Sequence, residues 1–381
     1  MHTYLLDFDT ATGAPVTCTL HRRLPATVLV GLSAAVAREC AERVRAAVLG
    51  SGFDWPRQRV ELQVGDGLSG GSTYVELALA VSVLVASGQL PAARVEGLSF
   101  YAELSLSGEV RAVRGTVAAA EAAQRDGKRL VVARGAGADA AAHHGLPVVS
   151  VGSLRELVDG ALTPHLPATP TYAASPLDLA DIQGQDPLLP DTLTRAARAR
   201  TPLYLVGPPG CGKTMLAARL PSILPILTEE EARGIARRFD AVGLAPVGPV
   251  RQRPFRAPHH SISLSGLLGH TPVTAAGRGR IGEVGLAEEG VLFLDEVAEF
   301  PRATLQALGH ALREPGRRVW LVVAGDGEGP REEREQKALQ ALGFGKDAFV
   351  RVPMQRVSHR SDRLTAWPSS ERVRQRVEAA L

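Results

Sequence analysis

Hydrophobic and polar positions alternate in two mixed α/β stretches joined by a proline-rich segment. In the first stretch a polar alternating start over Thr17 to His21 leads into Ser33 to Leu49. There Ala35, Val36, Cys40, Val44 and Ala47 recur at helical spacing, which predicts a helix with one buried face. Tyr74 to Ser87 is apolar nearly all round, as expected of a fully buried helix. Thr116 to Gln124 reads as another helix. Val60 to Val64, Leu98 to Leu106, Arg129 to Ala133 and Val148 to Val151 have strand character, with Ser107-Gly108-Glu109 as a turn. Residues 161–176 carry four prolines and little periodicity, the composition of a linker. The second stretch begins with a strand at Leu203 to Val206, a glycine loop, and a helix from Lys213 on. Residues 240–282, rich in Gly, Pro and His, read as loops with short inserted elements. Val291 to Leu294 reads as a buried strand and Arg302 to Leu312 as a helix. The whole is a layered α/β chain.

Composition narrows the function classes. Of 381 residues 45% are hydrophobic and 22% charged, enough for sizeable cores and against wholesale disorder. No apolar run approaches the roughly 18–20 residues of a membrane span, and the opening MHTYLLDFDT lacks a basic region followed by an apolar one. Cys18, Cys40 and Cys211 lie too far apart for a zinc pattern or a disulfide framework. A soluble cytoplasmic protein with no membrane partner is the expectation. The net charge of +3 decides little. Its basic residues are 39 arginines against 4 lysines, which fits a composition bias before it fits phosphate recognition.

Gly207-Pro208-Pro209-Gly210-Cys211-Gly212-Lys213-Thr214 fits the phosphate-loop pattern GxxxxGK[ST]. Glycines let successive N–H groups curl around phosphate oxygens, and a helix starting at Lys213 would point its positive end at them. Lys213 would reach the β- and γ-phosphates, and the Thr214 hydroxyl would hold Mg2+. Chains of this composition would show the run by chance about once in two hundred. Val291-Leu292-Phe293-Leu294-Asp295-Glu296 is an apolar strand ending in two acids, the Walker B form. Asp295 would serve the Mg2+ shell and Glu296 would polarise the attacking water.

The chain resembles the ComM/YifB family of magnesium-chelatase-like AAA+ ATPases over about residues 1–315. The resemblance rests on 30–56, LVASGQL (84–90), DIQGQ (181–185), 205–225, RPFRAPHHSISLSGLLG (253–269) and 282–300. Arg253-Pro254-Phe255-Arg256 with Pro258-His259-His260-Ser261 is the narrowest of these. The resemblance implies a Lon-protease-like N-terminal α+β domain (1–160), the linker (161–176), and a P-loop AAA+ three-layer α/β ATPase core of the helix-two-insert type (177–315). It also implies homo-oligomeric, hexameric rings. ATP and Mg2+ are the implied cofactors, with hydrolysis coupled to helicase or branch-migration work on single-stranded or branched DNA in natural transformation and recombination. Arg256 and its neighbours are then candidates to engage the DNA. Ile182 and Gly184, in the segment that lies beside the adenine in such ATPases, and Met215 after the loop are implied nucleotide contacts, although a plain turn also explains 181–185. His259 and His260 have no further ligand at metal spacing, which favours a structural or DNA-facing loop. Matched to the Lon pattern, Thr73 falls near the nucleophile with Ser72 adjacent, while the base position falls on Val117 and Lys128 lies well past it. A hydroxyl without a base is a poor nucleophile, so this domain reads as non-catalytic.

After Leu312-Arg313-Glu314-Pro315 the family continues with a β-hairpin, a strand ending in a sensor Asn, an arginine finger and a helical lid. Here Val319 to Ala324 is followed by Gly325-Asp326-Gly327-Glu328-Gly329-Pro330. Asp326 takes the sensor position if that strand is equivalent; otherwise residues 316–381 are a divergent segment. Arg351, Arg356, Arg360 and Arg363 are weak candidates for phosphate contacts against the simpler reading of a solvated surface. Nucleotide binding therefore rests on residues that are present, and turnover on ones not recognisable. The alternatives are a degenerate member that binds ATP and associates without motor activity, or a magnesium-chelatase-like subunit. An ATP-dependent protease is discounted by the missing lysine.

Overall fold

The computed structural model describes residues 1–7, 10–65, 73–160, 162–169, 177–270, 280–327, 330–344, 348–357 and 367–379. Contacts divide the chain into two units. One comprises Met1–Pro170, Ala236–Pro249 and Thr271–Arg280, the other Thr171–Ile235, Val250–His270 and Ile281–Leu381. No helix among the described residues is long and apolar enough to cross a membrane.

In the first unit β1 (His2–Asp7), β2 (Thr10–His21), β3 (Ala26–Val30), α1 (Ala34–Gly50) and β4 (Arg59–Val64) come first. The four strands form a sheet in the order β1-β2-β4-β3, antiparallel except for the β3–β4 pair. Then follow α2 (Glu76–Ala86), β5 (Leu98–Phe100), β6 (Glu103–Leu104), β7 (Val110–Arg111), α3 (Thr116–Arg125), β8 (Arg129–Ala133), α4 (Ala136–His143), β9 (Val148–Val151) and α5 (Leu154–Asp159). α2 is buried along its whole length up to Leu84, as its lack of a polar face predicts. Leu98 to Leu106 is not one strand: β5 joins the parallel sheet β5-β8-β9, and β6 leaves it to pair with β7. Val117 is fully buried among the alanines of α3, whereas Ser72 and the Thr73 side chain lie outside the described residues. Of 161–176, only 162–169 is described. There the His165 ring lies 2.7 Å from Ser150 Oγ and 2.9 Å from Asp139 Oδ1, so the segment is fastened to β9 and α4.

The second unit contains α6 (Leu189–Ala199), β10 (Leu203–Val206), α7 (Lys213–Ala217), α8 (Glu229–Ala241, whose second half counts with the first unit), β11 (Phe255–Arg256), α9 (Leu264–Leu268), β12 (Gly269–His270) and β13 (Arg280–Ile281). It ends with α10 (Glu283–Leu286), β14 (Val291–Leu294), α11 (Arg302–Leu312), β15 (Trp320–Gly325), α12 (Pro330–Ala341), β16 (Val350–Pro353) and α13 (Ser370–Glu378). Five strands form an all-parallel sheet in the order β11-β14-β15-β10-β16. Alternate residues point to opposite faces. Leu203, Leu205, Phe293, Trp320 and Val322 pack with α6 and α13, and Tyr204, Val206, Leu292, Leu294 and Val323 pack with α11 and α12. Both faces are thus covered, which explains the continuous apolar runs of these strands. Trp320 is fully buried, and its indole N–H donates to the Thr201 carbonyl at 2.8 Å.

Two features differ from the sequence expectations. Residues after 315 supply β15 and β16, so the segment read as divergent completes the sheet. The helix from Lys213 is only five residues long and tightens into a 3-10 turn over Leu220–Ile223, where Pro221 lacks the N–H that would continue it.

Candidate nucleotide site

The carboxyl ends of β14, β15 and β10 lie side by side, the edge where parallel sheets open a ligand crevice. Leaving β10, the chain turns through 207–212 into α7. A Cβ on Gly207 would stand 2.2 Å from the Met354 carbonyl oxygen, so the position admits only glycine. Gly210 and Gly212 have φ of +77° and +95°, the left-handed region glycine adopts at little cost. The loop borders a cleft of about 570 Å³ whose lining includes Pro209 to Met215, Asp295 and Glu296.

Lys213 curls back over the loop. Its ammonium donates to the carbonyl oxygens of Gly207 and Pro208 and faces Asp326 Oδ1 at 3.4 Å. Thr214 Oγ1 donates to Asp295 Oδ2 at 2.9 Å. The other Asp295 oxygen accepts the Glu296 N–H at 3.0 Å, and Glu296 holds the left-handed conformation at φ 49°. A non-glycine residue held there stores backbone strain beside the acidic pair. Hydroxyl and carboxylate oxygens in direct contact are hard donors that suit Mg2+.

Other parts of the site were not legible in the sequence. Glu335 on α12 is buried and accepts the N–H groups of Asp326 and Gly327 at 2.7 and 3.0 Å, together with the Tyr204 hydroxyl. Burial, with Glu335 beside it, pushes the Tyr204 phenol well above its ordinary pKa. Arg331, one turn earlier, pairs with Asp326 Oδ2 at 2.6 Å. No local pattern announces either residue, because α12 reaches the cleft by packing against α11 and the turn over Val297–Glu299, elements distant from it in sequence.

Ile182 and Gly184 do not line this cleft. Ile182 is buried in the core beneath β10, and the Gly184 carbonyl accepts from Gln355 at 3.1 Å. The useful residue of that segment is Gln185, also buried. Its amide donates to the carbonyls of Cys211 and Gln355, and its oxygen accepts the Gln355 N–H, clasping the glycine loop to the end of β16.

The narrow basic run has a structural use. Arg253 is buried, donates to the Pro225 and Glu289 carbonyls, and pairs with Glu231 at 3.2 Å and Glu289 at 3.5 Å. Arg256 closes its fork on Glu283 at 2.6 and 2.8 Å, so its charge is neutralised within the chain. The His259 and His260 rings lie with centroids 3.9 Å apart, tilted by 37° to each other, and His260 borders the cleft. Arg351 and Arg356 are exposed, and Arg360 and Arg363 lie outside the described residues.

Comparison with known proteins finds related sequences. A family model described as magnesium chelatase, subunit ChlI, matches residues 178–320, and another, subunit ChlI of Mg-chelatase, matches 16–136. The uncharacterized protein YifB of Salmonella typhimurium is 36% identical over 315 residues, covering 79% of this chain and 59% of YifB. An uncharacterized Mycobacterium tuberculosis protein is 39% identical over 76% of this chain and 59% of its own length. Competence protein ComM of Haemophilus influenzae is 36% identical over 76% of this chain and 58% of its own. The chain spans about three fifths of the length of these relatives.

Proposed function

Because the chain belongs to the ComM/YifB family of magnesium-chelatase-like proteins, a family of AAA+ ATPases, we propose that its cleft binds ATP with Mg2+ and hydrolyses it. The observation that carries this reading is the Thr214–Asp295 contact beside Lys213. It joins the end of one buried strand to the loop after another, as a magnesium nucleotide requires. Gly207 to Met215 would wrap the phosphates and Lys213 would bind the β- and γ-phosphates. Thr214 and Asp295 would hold the metal, and Glu296 would orient the attacking water. The metal, when bound, neutralises charge on the phosphate oxygens. We read 1–160 as a Lon-like, non-catalytic domain and 177–315, with the two strands that follow, as an AAA+ core of the helix-two-insert type.

Coupling of turnover to DNA branch migration in a cytoplasmic hexameric ring is the fuller proposal, supported by the likeness to a competence protein. The test is ATP binding and turnover by the purified chain, with and without single-stranded DNA, beside Lys213→Ala. DNA-stimulated turnover lost in the variant is the expected result. Binding without turnover under any condition would leave an ATP-binding family member that is not a motor.

A further inference from the structure

The cleft is short of positive charge. Its described lining holds the carboxylates of Asp295, Glu296, Glu299, Asp326 and Glu335, and only two permanent cations, Lys213 and Arg331. A triphosphate brings about four more negative charges, which one divalent ion and one lysine do not balance. Both cations converge on Asp326. Lys213 faces Oδ1 at 3.4 Å and Arg331 Nη1 lies 2.6 Å from Oδ2. The carboxylate therefore bridges them through separate oxygens, as a phosphate would. Asp326 is itself fixed, because buried Glu335 holds its N–H and that of Gly327.

We propose that Arg331 recognises the terminal phosphate of ATP from within the same chain, and that Asp326 is the positioning residue that keeps its guanidinium at the cleft. The proposal rests on the reading of the cleft as an ATP site. A planar fork of five donors can keep one edge on a carboxylate and turn another to phosphate oxygens. ADP has no phosphate at that end, so Arg331 distinguishes the triphosphate from the diphosphate.

The test titrates the full chain, with Mg2+, against a ribose-labelled ADP and the matching ATP analogue with a non-hydrolysable β–γ bridge. Arg331→Ala is expected to weaken the ATP analogue about ten- to a hundredfold, the loss of a charge-assisted contact, and ADP by less than about twofold. Arg334→Ala, exposed on the same helix and outside the cleft lining, is expected to change neither. Equal losses for both nucleotides, or none for either, would overturn the inference. In that case the ATP-site reading stands as long as Lys213→Ala abolishes binding of both. Absence of binding by the unaltered chain, or binding indifferent to Lys213→Ala, overturns that reading and this inference with it.

Discussion

Arg253 and Glu76 are charged side chains buried for different reasons, and each makes a different prediction. Arg253 compensates Glu231 and Glu289, and burial lowers its own pKa against their opposing pull. Arg253→Ala removes the buried guanidinium from Glu231 and Glu289, which keep Arg318 and, for Glu289, Arg200, and is expected to destabilise the second unit by about 1–3 kcal/mol, read from its denaturant midpoint. Glu76 accepts the Leu104 N–H at 2.8 Å and pairs with Arg43 at 3.0 Å, yet burial pushes its carboxyl up to about 7. The folded state then holds a proton that the unfolded chain releases above about pH 4.5. Its stabilising share is full below that pH and is lost as pH rises through about 7. Asp240, raised by burial to about 6, acts in the same direction. Melting of the first unit is expected to fall between about pH 5 and about pH 8, and Glu76→Gln to flatten the fall; an unchanged slope would refute the assignment. At this scale the glycine loop of 207–214 and its neighbour Asp295 were legible, because glycines at fixed spacing followed by Lys-Thr, and an apolar strand ending in acids, are local patterns. Arg331 and Glu335 were not, because their contacts come from packing between elements.

Gly309 carries the next scale up. It lies on α11, and a Cβ there would stand 1.9 Å from the Leu342 carbonyl oxygen just past α12, so its missing side chain sets how closely the two helices approach. Gly309→Ala is expected to cost about 1–3 kcal/mol, measured by chemical denaturation. The fastening of 162–169 is also an element property. His165→Ala removes the contacts to Ser150 and Asp139, and faster proteolytic cleavage there with unchanged melting is the expected outcome. Equal cleavage rates would show that the histidine does not hold the segment. β10, β14 and α11 matched their sequence readings closely, since buried parallel strands are unbroken apolar runs and α11 has a clear periodic face. β1 and the start of β2 escaped notice: a hairpin is held by pairing between strands, which periodicity within one strand does not reveal.

Sheet order governs the whole second unit. β10, the strand that leads into the glycine loop, pairs with β15 on one side and β16 on the other. A fragment of residues 177–315 therefore leaves it without a neighbour. Such a fragment is expected to unfold without cooperativity and to bind no nucleotide, whereas 177–381 is expected to melt cooperatively and to bind it; a cooperative melt from the shorter piece would contradict the pairing. Sequence alone could not supply this order, because strands adjacent in a parallel sheet are separated along the chain by their crossovers. The burial of Trp320 has an optical consequence. Of the three tryptophans, Trp55 belongs to the first unit and is partly exposed, while Trp320 and Trp367 are buried in the second. With Trp55→Phe and Trp367→Phe the remaining emission comes from Trp320 alone, and its shift to the red on heating would time the loss of the strand that lies between β14 and β10 without any added label.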